Sequence, residues 1–189
     1  MADNQRRASA LDMVRSMAII IIPVALILWL LSNNLEDYPV ERVDWRPVLA
    51  EARSTVDWPV EAPEGLPEEG GYAWTASRVS FLKVGDIMTG GGGSPRNHWR
   101  VGFLSPDKER VYFEVNQGDD QLETFVREIT REGRKIGEQD VAGRTWETWE
   151  SMDGRTRSLV LRADPTVTLV TADTGFPQLG EFAQTLKAS

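Results

Sequence analysis

The feature that most constrains this chain is an uninterrupted apolar run at residues 17–31, Met-Ala-Ile-Ile-Ile-Ile-Pro-Val-Ala-Leu-Ile-Leu-Trp-Leu-Leu. A helix of this length spans roughly 22 Å at about 1.5 Å per residue, whereas the hydrocarbon core of a bilayer is about 30 Å thick. The flanking Ser16 and Ser32 tolerate the membrane interface and lengthen the helix. The sequence therefore predicts one transmembrane anchor over residues 16–32.

Three residues are predicted to fit this short anchor to the membrane. Arg15 precedes the run, and its long side chain can carry the charge out to the headgroups. Trp29 lies near the far end, where an indole ring suits the membrane interface. Pro23 would break a helix in water but is tolerated in a membrane helix, where it introduces a slight kink. The alternative is a buried helix of a soluble protein, which would not need the basic flank.

The residues around the run indicate its orientation. Three arginines precede it and acidic residues follow it, which places residues 1–15 in the cytoplasm. Residues 33–42 then form a tether to an extracytoplasmic domain over residues 43–189. A cleaved signal peptide is the competing interpretation. No small-x-small cleavage pattern follows the run, and the chain has no cysteine for lipoprotein acylation. An uncleaved single-pass anchor in the cell membrane is therefore favoured.

The charge balance restricts the partners of the outer domain. The whole chain has a formal net charge of −8 at pH 7. The first 32 residues contain three arginines and two aspartates, a net charge of +1, so the remaining residues carry −9. A domain this acidic does not suit nucleic acid or anionic lipid, because both require a basic surface. Zero cysteines also exclude a disulfide framework and thiol chemistry.

The outer domain alternates between helical and strand patterns. Apolar residues from Leu122 to Ile129 recur at helical spacing, and further helices are predicted over about 45–55 and from Pro177 onward. Alternating apolar residues separated by turn signals predict strands. These strands lie near residues 73–84, 99–103, 111–115, 135–141, 144–151, 156–163 and 166–172. Such hairpin-linked strands with few helices predict an α+β domain, an antiparallel β-sheet with two or three helices packed on it.

Local signals define where these elements begin and end. Asp44 is a candidate N-cap for the first helix of the domain, and Asp120 with Glu123 resembles a capping box for the second. Gly133 is expected to end the second helix at its C′ position. Residues 59–67 contain three prolines, which predicts an extended segment along the edge of the domain.

No residues have the spacing of a known catalytic site. His98 is the only histidine, and it has neither a cysteine nor a second histidine with which to bind zinc. The glycines at 90–93 are not followed by the Gly-Lys-Ser/Thr of a phosphate-binding loop. Glu147 and Glu150 flank Trp149, but in a regular strand these carboxylates point to opposite faces. We therefore predict a non-catalytic domain without a cofactor or metal.

Tryptophan is the strongest indication of a binding function. Six of the seven tryptophans lie outside the apolar run, and such side chains fill cores but also dominate binding hot spots. The candidate contact residues are Trp74, Trp99, Trp146 and Trp149, of which Trp146 and Trp149 are expected on opposite faces of a strand. We predict that the domain binds a protein partner or scaffolds a complex in the cell envelope. The alternative is a carrier with a pocket between sheet and helices for an apolar ligand or lipid.

Motifs along nearly the whole chain carry a family resemblance. They are Val43-Asp44-x-x-Pro47-Val48-Leu49-Ala50-x-Ala52-Arg53, Pro59-Val60-x-Ala62-Pro63-x-Gly65-Leu66-Pro67, Trp74-x-x-x-x-Val79, Trp99-Arg100-Val101-Gly102-Phe103-Leu104-Ser105-Pro106 and Gly143-x-x-Trp146. Together with the N-terminal anchor, they resemble an uncharacterised family of actinobacterial membrane-anchored proteins with a domain of unknown function. The resemblance implies a membrane location but brings no activity or site. The order of strands and helices is also similar to that of Mog1/PsbP-like domains.

Overall fold

The computed structural model describes residues 15, 17–29, 41–70, 72–107 and 110–188, and the chain divides into two units, Met1–Val40 and Glu41–Ser189. In the first unit, residues 17–29 form a helix (α1) that includes Pro23 and Trp29, and Arg15 is helical as well. The large apolar side chains of α1 are exposed. Among the residues described, no helix is both long and apolar enough to cross a membrane. The predicted ends of the anchor and most of the predicted tether lie outside the described residues.

The second unit, Glu41–Ser189, is built on antiparallel sheets. Its strands are β1 (Glu61–Pro63), β2 (Thr75–Leu82), β3 (His98–Leu104), β4 (Tyr112–Gly118), β5 (Arg134–Val141), β6 (Arg144–Glu150), β7 (Arg157–Ala163), β8 (Thr166–Ala172) and β9 (Leu186–Ala188), and its helices are α2 (Arg46–Thr55), α3 (Leu122–Ile129) and α4 (Phe176–Ala183). The main sheet has seven strands in the order β2-β3-β4-β8-β7-β6-β5. The predicted α+β class, with helices on an antiparallel sheet, is confirmed.

The chain order explains this arrangement. Strands β2, β3 and β4 form a meander through two hairpins, and α3 then leads to the opposite edge of the sheet. Strands β5 to β8 return as a second meander, so that β8 pairs with β4 at the centre. In this pairing Val115 lies opposite Val170. The contact joins residues that are far apart in the sequence, and it unites the two meanders in one sheet.

The alternation of side chains along each strand separates two apolar layers. On one face, Trp99, Val101 and Phe103 of β3 belong to a core that includes buried residues of α2 and α4. We call this the α4 face. On the opposite face, Phe125 and Val126 of α3 pack in a smaller cluster with residues of β7 and β8. We call this the α3 face. The sheet is therefore covered by helices on both sides.

The proline-rich segment is buried in its central part. Its strand β1 pairs with β9, and Val60 and Ala62 are at most 1% exposed. Gln117 of β4 accepts a hydrogen bond from the Glu61 amide (2.8 Å) and donates one to the Pro59 carbonyl (3.0 Å). These side-chain bonds replace those of a neighbouring strand. The extended conformation is as predicted. The predicted location along the edge of the domain is wrong for this part, because β1 is buried between β9 and Gln117. Local sequence patterns do not indicate these distant contacts.

The starts of α2 and α3 differ in detail from the predicted caps. Trp45 occupies the N-cap position of α2, while the Asp44 carboxylate accepts a hydrogen bond from the Arg46 amide at 3.2 Å. Gln121 precedes α3 in the left-handed conformation, with φ of 49° and no side-chain cap. The predicted capping box of Asp120 is therefore not formed. Asp120 instead accepts a hydrogen bond from the Gln121 amide at 2.7 Å.

The end of α3 also differs from the prediction. Arg131 and Glu132 adopt positive φ after the helix, whereas Gly133 does not. Gly133 is needed for a different reason, because a Cβ at this position would lie 2.8 Å from the Glu150 carbonyl oxygen and 2.9 Å from that of Thr130. The glycine thus permits a close approach of two backbone segments instead of supplying a left-handed turn.

Candidate binding groove

Trp74 lies on the α4 face immediately before β2 and is half-buried. The centroid of its ring lies 5.3 Å from that of Phe113 in β4 and 5.2 Å from that of Phe182 in α4. The rings of Phe113 and Phe182 stack on each other at 4.9 Å. The Trp74 amide donates a hydrogen bond to the Pro67 carbonyl at 2.7 Å, which ties this position to the proline-rich segment. Three aromatic rings from distant parts of the chain are thereby brought together.

These rings line an open groove of about 620 Å³, which we call the Trp74 groove. Leu66, Pro67 and Val111 add further apolar surface. Asp107, Gln178 and Glu181 line the groove as well, and all three side chains are exposed. A concave apolar surface with a few polar groups around it is the usual form of a binding site.

Local structure fixes the two walls of the groove. In the loop between β3 and β4, Ser105 and Val111 exchange hydrogen bonds. The Ser105 amide donates to the Val111 carbonyl (2.9 Å), and the Ser105 hydroxyl accepts from the Val111 amide (3.0 Å). In α4, Leu179, Phe182 and Ala183 are buried at helical spacing. This spacing leaves Gln178 and Glu181 on the exposed side of the helix.

The charge of the groove is of one sign. Among its described lining residues, the ionisable side chains are Asp107 and Glu181. Within the described residues neither carboxylate forms an ion pair, so both present their charge to the solvent and to any occupant.

A second depression of about 480 Å³ adjoins the Trp74 groove and shares Gly65 and Leu66 with it. Its lining contains Glu64, Glu68 and Glu69 together with Arg46. Arg46 is already engaged, because its guanidinium group lies 2.6 Å from the Glu68 carboxylate. The acidic character of the Trp74 groove therefore continues into this depression.

The four candidate tryptophans are located in different surroundings. Trp99 and Trp146 are 0% exposed in the core of the α4 face, and Trp99 donates a hydrogen bond to the Glu61 carbonyl at 3.1 Å. Trp149 is half-buried against the α3 cluster, so Trp146 and Trp149 do lie on opposite faces as predicted. Of these four side chains, Trp74 lines the groove. A partner could reach Trp99 or Trp146 only by opening the core.

Glu147 lies on the same face as Trp149 and receives a hydrogen bond from its indole at 2.9 Å. Lys135 and Arg162 approach the same carboxylate at 3.2 and 3.4 Å. Desolvation acts to raise the pKa of Glu147, but the hydrogen bonds from Trp149 and Lys135 and the nearby positive charges outweigh it and lower the pKa. The carboxylate is therefore held ionised in a stabilising network.

A polar pocket of about 570 Å³ on the α3 face is lined by the carboxylates of Glu114, Glu128 and Asp173. Each of them has a partner, and the three bonds are Tyr112 to Glu114 (2.7 Å), Arg96 to Glu128 (3.3 Å) and Thr156 to Asp173 (2.5 Å). Within the described part of the chain, no group of three or more His, Cys, Asp or Glu side chains is placed to hold a metal ion. The three carboxylates of this pocket are thus already engaged in bonds within the fold.

His98 lies near α3, with its ring edge-on to Phe125 at 4.8 Å. Its Nε2 is 2.9 Å from the amide oxygen of Asn116, so the tautomer that satisfies this oxygen carries its proton on Nε2. Burial lowers the pKa of His98 to about 4, despite the opposing effect of the hydrogen bond with Asn116. The imidazole is consequently neutral at physiological pH.

Several groove residues had no distinct signal in the sequence. Phe113 and Phe182 fit the alternation of a strand and the stripe of a helix, and both patterns indicate only a core position. Asp107 and Glu181 look like ordinary solvated acids. Their convergence on Trp74 depends on the pairing of β4 with β8, a contact that sequence periodicity does not reveal.

Comparison with known proteins gives one strong similarity. A family model described as "Protein of unknown function (DUF4245)" matches residues 6–186. Among solved structures, the crystal structure of MucB in complex with MucA(peri) is similar at 15% sequence identity and a TM-score of 0.36, covering 71% of this chain and 37% of that chain. The present chain thus spans little more than a third of that structure's length. No curated protein matches the chain significantly in sequence.

Proposed function

Because the chain belongs to the DUF4245 family, whose function is unknown, we propose its function from the geometry of the Trp74 groove. The outer domain binds a protein partner in the cell envelope by receiving an apolar side chain of that partner in the groove. The observation that carries this proposal is the half-buried Trp74 ring, which lines an open groove together with Phe113 and Phe182. Aromatic side chains in such positions supply much of the energy of protein interfaces.

The proposal includes attachment to the cell membrane through residues 16–32, with residues 1–15 in the cytoplasm. It is supported by the apolar run, by the arginines before it and by the helical conformation of residues 17–29. The test is a pair of fusions after Ser189. Alkaline phosphatase should be active and green fluorescent protein dark if the domain is outside the cytoplasm. The reverse pair of results contradicts this orientation.

The domain is further proposed to act without catalysis. The support is that His98 is neutral and bonded to Asn116, and that the carboxylates of the polar pocket are engaged in structural bonds. The pKa of about 4 makes His98 a weak base at neutral pH, and each of these carboxylates already has a partner within the fold. This part of the proposal predicts that variants of Glu114 or Glu128 affect stability and leave partner binding unchanged.

Site-specific photo-crosslinking tests the binding function. A benzophenone amino acid in place of Gln178, which lines the groove, is compared in cells with one in place of Arg134, an exposed position on β5. A protein adduct is expected from position 178 and not from position 134. It should be lost when Trp74→Ala is added, with thermal unfolding showing that this variant is folded. An adduct unaffected by Trp74→Ala, or none at position 178, rules out the groove as the partner site.

A small apolar ligand is the second candidate occupant. It is favoured by the volume of about 620 Å³, which lies in the range of small-molecule sites, and by the location of the groove between sheet and helix. Native mass spectrometry of the full-length chain purified from its own cells distinguishes the two. One small molecule bound per protein chain, and none bound to the Trp74→Ala variant, would support the carrier function.

A further inference from the structure

Building on the proposed function, we infer that the partner segment in the Trp74 groove is extended and basic, with Lys or Arg side chains flanking its apolar side chain. The inference concerns the chemistry of the occupant. It can fail while the groove remains a binding site.

Charge complementarity inside the groove is the first argument. Asp107 on one wall and Glu181 on the other belong to different elements, the β3–β4 loop and α4. Both side chains are exposed, and both face an occupant whose apolar side chain rests on Trp74. An anionic segment would be repelled from both walls, and a neutral one would leave the two charges unmatched.

The adjoining depression extends this charge in one direction. Glu64 and Glu69 are exposed there, while Glu68 is matched by Arg46. Because the two depressions meet at Gly65 and Leu66, a chain that enters the Trp74 groove can continue over these residues into the second depression. An extended chain advances about 3.3 Å per residue, so a nine-residue segment extends over about 30 Å.

The polar pocket on the α3 face provides an internal contrast. Its lining mixes the carboxylates of Glu114, Glu128 and Asp173 with the guanidinium groups of Arg110 and Arg131. That pocket therefore presents both signs of charge. The Trp74 groove, in its described lining, presents only negative charge, which selects for a basic occupant.

Peptide binding tests the inference with the full-length chain in phosphatidylcholine nanodiscs, empty nanodiscs serving as the blank. The probes are nine-residue peptides with a central Phe, flanked on both sides by Lys, Gln or Glu, and a Lys peptide in which Ala replaces Phe. Calorimetry should give a Kd for the Lys–Phe peptide at least tenfold lower than for the Gln–Phe peptide at 50 mM NaCl. The ratio of the two Kd values should fall below threefold at 500 mM NaCl, because salt screens exposed charges.

Two matched double variants identify the charges responsible. Asp107→Asn with Glu181→Gln should raise the Kd of the Lys–Phe peptide about fivefold to twentyfold and leave the Kd of the Gln–Phe peptide unchanged. Asp57→Asn with Asp164→Asn changes the net charge equally at exposed positions outside the groove and should have no effect. Equal losses in the two double variants would mean that overall charge, and not the groove, attracts the peptide, which overturns the inference.

The contribution of the adjoining depression has its own readout. Glu64→Gln with Glu69→Gln should weaken binding of the nine-residue Lys–Phe peptide several-fold, and should weaken binding of a five-residue version, about half as long, by less. If the Lys, Gln and Glu peptides bind equally, the inference is wrong while the proposed function stands. If no Phe-containing peptide binds and the photo-crosslink at position 178 is also absent, both fail.

Discussion

The phenol ring of Tyr112 lies across Gly102 of the neighbouring strand, so closely that a Cβ on Gly102 would overlap the phenol oxygen. From this position Tyr112 donates a hydrogen bond to the Glu114 carboxylate at 2.7 Å. Burial, reinforced by the bond to Glu114, raises the pKa of Tyr112 above its usual value. The glycine in β3 therefore serves the close approach of a side chain, and its φ is not in the left-handed region.

Substituting Gly102→Ala should displace the Tyr112 ring and cost about 1 kcal/mol in the free energy of unfolding. The cost is moderate because the overlapping atoms belong to the end of a side chain that can turn away, at the loss of one hydrogen bond. Urea unfolding of Gly102→Ala, Tyr112→Ala and the double variant measures it. The cost of the alanine should nearly vanish when Tyr112 is absent, and an equal cost in both backgrounds contradicts the contact.

Gly133→Ala should be more damaging, with a loss of about 2–3 kcal/mol, because the new Cβ would meet the backbone oxygens of Glu150 and Thr130. Backbone atoms in a strand and at a helix end cannot turn aside. Gly137→Ala is the matched control in β5, where the Cβ would meet only the Thr148 hydroxyl, at 3.2 Å. Thermal and urea unfolding should show that Gly133→Ala is clearly less stable than Gly137→Ala. Similar stabilities for the two variants would contradict this explanation.

The ion pair between Glu61 and Arg144 joins β1 to β6 at 2.5 Å. The Glu61 side chain is 8% exposed, and its second carboxylate oxygen has no hydrogen-bond partner among the described residues. Arg144→Met should therefore lower the free energy of unfolding by about 2 kcal/mol, because it leaves the buried Glu61 charge unmatched. This loss is smaller than for a fully buried pair, since Arg144 is itself about one-third exposed. Adding Glu61→Gln should recover part of the loss in urea unfolding. A double variant as unstable as the sum of the single ones shows that the pair is not coupled.

Local patterns in the sequence are sufficient for the elements of this domain but not for their assembly. The stripe from Leu122 to Ile129 predicts α3 because every residue in that pattern contacts the same neighbour, the sheet. Strand β9, in contrast, consists of three residues, and it exists because β1 lies beside it. The sequence also identifies Trp74 as a candidate only as one of four tryptophans. All three of Trp74, Trp99 and Trp146 belong to the α4 face, and Trp74 differs because it lies just before β2 and stays half-buried, whereas the other two lie within β3 and β6 and are fully buried.

His98 is expected to make the stability of the domain dependent on pH above the range in which carboxylates titrate. Burial lowers its pKa from 6.5 to about 4, so between these values the unfolded chain takes up a proton that the folded domain does not. Lowering the pH therefore favours unfolding, by roughly 2 kcal/mol between pH 7 and pH 5. His98→Gln retains a donor for the Asn116 oxygen but cannot titrate. Urea unfolding at both pH values should show a steeper loss for the natural chain than for His98→Gln, and parallel losses would mean that His98 is protonated as readily in the folded domain as in the unfolded chain.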